Sequence, residues 1–255
     1  MIDIIKQKIC EIEEKEQVKI IYTIESGSRA WGFASPNSDY DVRFIYIRRP
    51  EFYLKLEKTK DFIEYEINDI FDINGWDISK TLKLLHSSNP TLFEWANSPY
   101  IYKKTEEWTL VQNIMNDYFL SKKALHHYLS TAKNQYNRYL KDDTVKLKKY
   151  FYILRPILAC KWILNEKTSP PMLFNELVNT QLEKELKSIV ENLVQKKINS
   201  QETELIPKIQ ILNEYIEENF IKLNTIINNL PKSKNNNYKQ LNDLFLNLIN
   251  FKTLY

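Results

Sequence analysis

Apolar residues recur at Ile2, Ile5, Ile9 and Ile12, spacings of three and four that align on one face, so residues 1–16 are predicted to form an amphipathic helix. From Val18 to Ile24 the run VKIIYTI is β-branched and aromatic, suited to a buried strand, and Glu25-Ser26-Gly27-Ser28 interrupts it with a loop or helix entry. Asp41 to Ile47 (DVRFIYI) alternates as a second strand. Phe62 to Ile73 sets Ile63, Tyr65 and Ile67 against Glu64, Glu66 and Asn68, which predicts one long third strand with a wet face at its start. At Asp77 the period changes. Ile78, Leu82 and Leu85 share a helix face, Asp77 is a good N-cap, and Asn89-Pro90 closes the segment. Farther on, spacing near 3.6 predicts helices around 105–130, 145–165, 172–195, 202–229 and 238–254, broken by Pro170-Pro171, Pro207 and a loop from Pro231 to Asn237. The pattern is that of an α+β protein, with an α/β domain over 1–103 and an all-helical domain over 104–255.

Composition narrows the classes. The 255 residues suffice for one large domain or two compact ones. With 36 Lys+Arg against 33 Asp+Glu the net charge of +3 is far too small for a polyanion-binding coat, and 43% hydrophobic residues exclude disorder. The N-terminus is charged throughout and no uncharged apolar run approaches the ~18–20 residues of a membrane span, so the chain is expected to be soluble and cytoplasmic, without a membrane partner. Cys10 and Cys160 stand far apart on helix-like segments and are expected to be buried free thiols. Glycine is the anomaly: 3 are present where average usage gives roughly 18. Those that remain, Gly27, Gly32 and Gly75, are expected where a Cβ is not tolerated.

Two of the three glycines fall in the stretch GSRAWGFASPNSDYDVR, residues 27–43. Gly27-Ser28, directly after a strand and at a helix start, offers backbone N–H groups, a hydroxyl and a helix dipole to a phosphate. Asp39 and Asp41 stand at i and i+2 of the following strand, hence on one face, and paired hard oxygen donors suit Mg²⁺. Taken singly, Gly-Ser is an ordinary turn and Asp-x-Asp a solvated strand edge; the combination is what points to chemistry. Lys148, Tyr152 and Arg155 lie at i, i+4 and i+7, which puts two cations and an aromatic on one helix face, although on the spacing alone a helix that buries Tyr152 and solvates its charges is the favoured explanation. There is no Walker A sequence, no G-x-G-x-x-G, and the adjacent His126 and His127 diverge too far to chelate one ion.

The combination resembles the nucleotidyltransferase signature of the DNA polymerase β superfamily, Gly-Ser followed by Ser-Asp-x-Asp, here Gly27, Ser28, Ser38, Asp39 and Asp41. The run DINGWDISKTLKLLHSSNPTLFEWANSPYIY is similar to the branch of predicted nucleotidyltransferases associated with RNA repair and RNA ligase, on the strength of Asp72, Gly75-Trp76-Asp77, Lys80, Asn89-Pro90 and Glu94-Trp95. The resemblance covers roughly residues 20–175 and thins beyond them.

It implies a catalytic domain with a small mixed sheet and a Mg²⁺-dependent enzyme, with Mn²⁺ as the alternative ion. Such an enzyme moves NMP from an NTP to a hydroxyl and releases pyrophosphate. Asp39, Asp41 and a third carboxylate would then be the catalytic metal ligands. Two residues compete for the third place: Asp72, at the end of the extended run, is favoured, because Asp77 is explained by capping the next helix. Gly27, Ser28, Ser38, Lys80, Lys148, Tyr152 and Arg155 become the candidate nucleotide contacts. The implied acceptor is an RNA end, with a protein or small-molecule acceptor as the runner-up and a weakly active nucleotide-binding regulatory module as a third reading. Oligomeric state and the identity of the NTP are not legible.

Overall fold

A computed structural model describes residues 1–200, 203–231 and 237–250. Contacts group them into two units, 1–27, 39–118 and 237–250 in the first, and 28–38, 119–200 and 203–231 in the second. The sequence pattern divides the chain once, after residue 103; the contacts instead keep residues 104–118 and 237–250 with the sheet, and 28–38 with the later helices. Among the described residues no helix is long and apolar enough to cross a membrane.

The first unit is built on a five-stranded sheet whose strands lie in the order β3 (Phe62–Ile67), β4 (Phe71–Asp77), β2 (Tyr40–Ile47), β1 (Lys19–Glu25) and β5 (Ile101–Lys104). Helix α1 (Ile2–Glu16) buries Ile5, Ile9 and Ile12 and ends at Gln17, whose left-handed backbone turns the chain into β1 (Lys19–Glu25). Ile2 and Cys10 lie on its exposed side, so Cys10 is not the buried thiol expected, whereas Cys160 is. After the five-residue turn α2 (Gly27–Trp31), β2 (Tyr40–Ile47) pairs antiparallel to β1. A single turn, α3 (Pro50–Tyr53), leads on.

The expected long third strand is a hairpin, β3 (Phe62–Ile67) and β4 (Phe71–Asp77), paired antiparallel. The break is local. Asn68 Oδ1 accepts the backbone N–H groups of Ile70 and Phe71 at 2.8 Å, an Asx turn that reverses the chain. The bulge between Glu64 and Glu66 leaves Ile67 exposed instead of buried with Ile63. β4 then runs parallel to β2. Gly75 is needed in that pairing, since a Cβ there would stand 2.3 Å from the Phe44 ring.

Helix α4 (Ile78–His86) is capped by Asp77, whose carboxylate accepts the Ser79 N–H. Asn89-Pro90 both ends that segment and starts α5 (Pro90–Ala96), with Asn89 as cap and Pro90 at the first helical position, where its missing N–H does no harm. Edge strand β5 (Ile101–Lys104) was not foreseen. Helix α6 (Glu106–Met115) belongs to this unit because Trp108, fully buried, stacks on Tyr22 of β1 at 4.3 Å. Near the end of the chain, α12 (Lys239–Leu248) brings Phe245 edge-on to Tyr53 at 5.1 Å.

The second unit is helical: α7 (Ser121–Tyr139), α8 (Lys148–Glu166), α9 (Phe174–Gln181), α10 (Lys184–Ile198) and α11 (Gln210–Asn229), with a short pair β6 (Thr144–Lys146) and β7 (Leu205–Pro207). The predicted helix over 105–130 is interrupted by a 3-10 turn at Asn116–Tyr118, and that over 202–229 begins only after β7. The parts of the predicted helices and loop that fall on 201–202, 232–236 and 251–254 lie outside the described residues. Residues 28–38 join this unit through Phe33, which packs on Phe151 at 4.7 Å and Phe174 at 5.6 Å.

Candidate active site

The parallel pairing of β2 with β4 matches Asp41 to Asp72 and Arg43 to Asn74. The two carboxylates therefore stand side by side on one sheet face. Asp77 lies one residue beyond Trp76 at the far end of β4, buried, with one carboxylate oxygen on the α4 cap and the other accepting the Tyr53 hydroxyl at 3.0 Å. In this geometry Asp72 neighbours Asp41 and Asp77 does not. It is the hairpin, and not a long third strand, that produces the juxtaposition.

Arg43, which the sequence reading passed over, joins the pair. Its Nη2 donates to Asp41 Oδ1 at 2.9 Å and to Asp72 Oδ2 at 2.6 Å, while Nη1 donates to the Asp72 carbonyl at 2.6 Å. Asn74 Nδ2 donates to the other Asp72 oxygen at 3.0 Å. Burial foremost, with the nearby charges of Asp39 and Asp72, pushes the Asp41 carboxyl up to about 6 against the pull of Arg43. A carboxylate so raised gains from a further cation.

The other face of Asp41 explains Gly27. Its φ of +59° is left-handed, and a Cβ there would lie 1.8 Å from Asp41 Oδ2. Only a bare Cα lets the carboxylate sit against that backbone. Behind it, Glu25, 1% exposed at the end of β1, accepts the Asp41 N–H at 2.8 Å through one oxygen and the Tyr102 hydroxyl through the other. A carboxylate ending an otherwise apolar strand was the signal for it.

The remaining candidates divide by unit. In the sheet unit, Asp39 is exposed just before β2, and Lys80 on α4 pairs with Asp61 at 3.2 Å and lies over the rings of Phe62 and Trp76. In the helical unit, Ser28 follows Gly27 in α2, whose five residues carry a dipole of little more than one turn, less than the sequence argument supposes. Ser38 is buried in a turn with Ser35. Arg155, 3% exposed, lies over the Trp31 ring at 4.9 Å, with Tyr152 edge-on to the same ring at 5.2 Å. Arg155 Nε also donates to the Met172 carbonyl at 3.4 Å. Of the face formed by Lys148, Tyr152 and Arg155, the first two are half-buried and the third is enclosed.

Asp41 and Asp72 are hard donors that repel one another, a chemistry that fits a hard divalent ion. Among the described residues, however, no three His, Cys, Asp or Glu side chains converge on one metal position.

The family described as the RNA repair pathway DNA polymerase beta family, RlaP, matches residues 1–247. The chain belongs to that family. RlaP membership makes it a nucleotidyltransferase of the polymerase β type associated with RNA repair. A relative in Bacillus subtilis (strain 168), the uncharacterized protein YcgL, is 40% identical over 252 residues, 96% of each chain. A solved structure, of a nucleotidyltransferase-like protein from Exiguobacterium sibiricum 255-15, is a distant likeness only: 13% identity and a TM-score of 0.31, over 98% of this chain and 81% of that one. The RlaP match extends well past residue 175, where the sequence resemblance fades, and so takes in α9, α10 and α11.

Proposed function

We propose that the chain transfers a nucleoside monophosphate from an NTP to a hydroxyl at an RNA end, with release of pyrophosphate. The observation that carries this reading is the in-register pairing of Asp41 with Asp72 beside the bare Cα of Gly27. Asp39, Asp41 and Asp72 would hold Mg²⁺, or Mn²⁺ in its place. A divalent ion so held lowers the pKa of an attacking hydroxyl and stabilises the leaving oxygens.

The chain's own residues have separate tasks. Arg43 keeps the two carboxylates parallel and partly neutralised until a cation is bound, and Glu25 fixes the backbone of Asp41. The backbone at Gly27 and the hydroxyls of Ser28 and Ser38 would take phosphate oxygens. Lys148 and Tyr152 would meet the nucleotide directly, whereas Arg155, beneath Trp31, would act through that ring. Lys80 would reach a phosphate only by leaving Asp61. The RNA acceptor is supported by the family alone.

The test is incubation with each of the four α-labelled NTPs, Mg²⁺ and total RNA or lysate. Label is expected in RNA, and D41A and D72N are expected to transfer none while melting as the wild type does. Label confined to protein would move the acceptor to the runner-up class. Undiminished transfer by D41A would remove the carboxylates from the chemistry.

A further inference from the structure

A net charge of +3 rules out a basic coat over the whole chain but does not say where the surplus lies. It is concentrated. Residues 138–149, from the end of α7 through β6 into the first turn of α8, carry Arg138, Lys141, Lys146, Lys148 and Lys149 against Asp142 and Asp143, an excess as large as that of all 255 residues. Arg138, Lys141 and Lys146 are exposed and Lys149 is half-buried. Among the described residues none of these four pairs with a carboxylate, whereas Lys161, Lys196 and Lys222 of the same unit each pair with a glutamate.

Rings alternate with the cations. Arg138 lies over Tyr139 at 5.2 Å, Lys149 over the same ring at 3.6 Å and over Tyr152 at 5.2 Å, and Lys141 over Tyr136 at 4.9 Å. Tyr152 in turn stands edge-on to Trp31, which carries Arg155 over its ring. A cation over an aromatic face is held by the ring quadrupole, so these side chains are partly ordered before any partner arrives. The contacts form an unbroken stripe within the helical unit, from Trp31 in α2 through Tyr152, Lys149 and Tyr139 to the exposed Arg138.

The stripe calls for a counter-charge. Burial foremost lowers the Lys149 ammonium from its ordinary value, Tyr139 acts against that shift, and the neighbouring charges of Lys148 and Lys146 add to it. Cations that repel one another on a surface gain from a polyanion. The interleaved rings narrow the choice of polyanion, because a basic track with aromatic side chains on which bases stack is what holds single-stranded nucleic acid without regard to sequence. In a duplex the base faces are already stacked on one another, and an acidic peptide would leave the rings without a partner.

We propose that this stripe is the track for the acceptor strand: single-stranded RNA lies along it with its phosphates on Arg138, Lys141, Lys146 and Lys149 and its end at Tyr152 and Trp31. The proposal rests on the nucleotidyl-transfer reading for what happens at that end, and it gives the RNA acceptor a surface of the chain's own.

The test is fluorescence anisotropy of a labelled single-stranded RNA of mixed sequence and about twelve nucleotides, within the usual span of such sites, titrated over a range of salt concentrations without NTP or Mg²⁺. Wild type is compared with R138Q/K146Q/K149Q and with K184Q/K196Q/K222Q, which removes the same charge from exposed positions elsewhere on the helical unit. The first variant is expected to melt as the wild type does and to bind about ten- to a hundredfold more weakly near 0.1 M salt. It should also lose about two from the slope of log K against log salt, the share of three phosphate contacts. The second variant should stay within about threefold of the wild type, since charges away from the track are screened. Undiminished binding by a folded R138Q/K146Q/K149Q would overturn the proposal, as would an equal loss in K184Q/K196Q/K222Q or tighter binding of the same sequence as a duplex. Displacement of the RNA by polyglutamate at equal charge concentration would also overturn it, in favour of an acidic protein partner. If the triple variant melts lower than the wild type, R138Q/K146Q, changed only at exposed positions, decides alone, with a loss of about one and a half in slope. A wild type that binds the strand through this stripe yet adds no nucleotide to it keeps the track and loses the transfer reading. Transfer to RNA undiminished in the triple variant at subsaturating RNA keeps the reaction and loses the track.

Discussion

At the scale of single residues the site depends on what is missing as much as on what is present. Gly27 is a case in which scarcity was itself a signal: in a chain with 3 glycines, the one kept at the start of α2 has a left-handed backbone and a carboxylate against its Cα. Gly27→Ala must hold an alanine at positive φ, which costs about 1–2 kcal/mol, and must displace Asp41. The expected outcome is a modest fall in melting temperature together with a loss of transfer on the order of 10²-fold, the usual effect of an ångström's misplacement. Normal transfer by G27A would show that the close approach is incidental. Arg43 and Glu25 illustrate the opposite limit of legibility. Both serve Asp41, yet Arg43 looks like the polar phase of an alternating strand and Glu25 like a strand end, and nothing in a linear pattern says that their partners are carboxylates or amides on other strands.

Secondary structure was legible where a period ran long enough and lost where a turn was made by one side chain. The helix 1–16, the strands around 18–24 and 41–47, and the Asp77 cap follow from apolar spacing and capping chemistry. The hairpin was missed because residues 62–73 are uninterrupted by glycine or proline; the reversal is done by the Asn68 side chain, and an asparagine in a polar phase carries no distinct mark. Asp77 offers a test at this scale. Burial, chiefly, raises its carboxyl above the ordinary 3.8, against hydrogen bonds from Ser79 and Tyr53. Its charged form is thus less favourable in the folded than in the unfolded chain, so at neutral pH the charge subtracts from stability. The deficit disappears as pH falls through the raised value toward 3.8. D77N, which keeps an oxygen for the cap, is expected to melt above the wild type at pH 7 and level with it near pH 4. D77A should lose the cap, about 0.5–2 kcal/mol, at both. Melting curves of the three proteins at the two pH values decide it, and a D77N protein less stable than the wild type at pH 7 would mean that the charge itself is needed.

For the whole molecule, the order of elements along the chain is a poor guide to which of them share a core. An α/β half followed by a helical half is what periodicity shows, because periodicity knows nothing of long-range contacts. In the fold the signature stretch 28–38 packs with helices from beyond residue 118, and α6 and α12 belong to the sheet unit. Cutting the chain after residue 103 would therefore damage both cores. A fragment 1–103 loses Trp108, which is fully buried and stacked on Tyr22, and truncations of such a side chain to alanine alone typically cost about 3–5 kcal/mol. A fragment 104–255 loses Phe33, 2% exposed between Phe151 and Phe174, along with the Ser35 hydroxyl that accepts from Lys197. Since a domain's net stability is on the order of 5–15 kcal/mol, neither fragment should melt cooperatively, and each should be digested by a nonspecific protease under conditions that leave the intact chain whole. The comparison is made by circular dichroism and limited proteolysis of the two fragments and the full chain. Two cooperative melts would restore the division at residue 103; their absence, with a cooperative melt of the full chain, is what interleaved cores require.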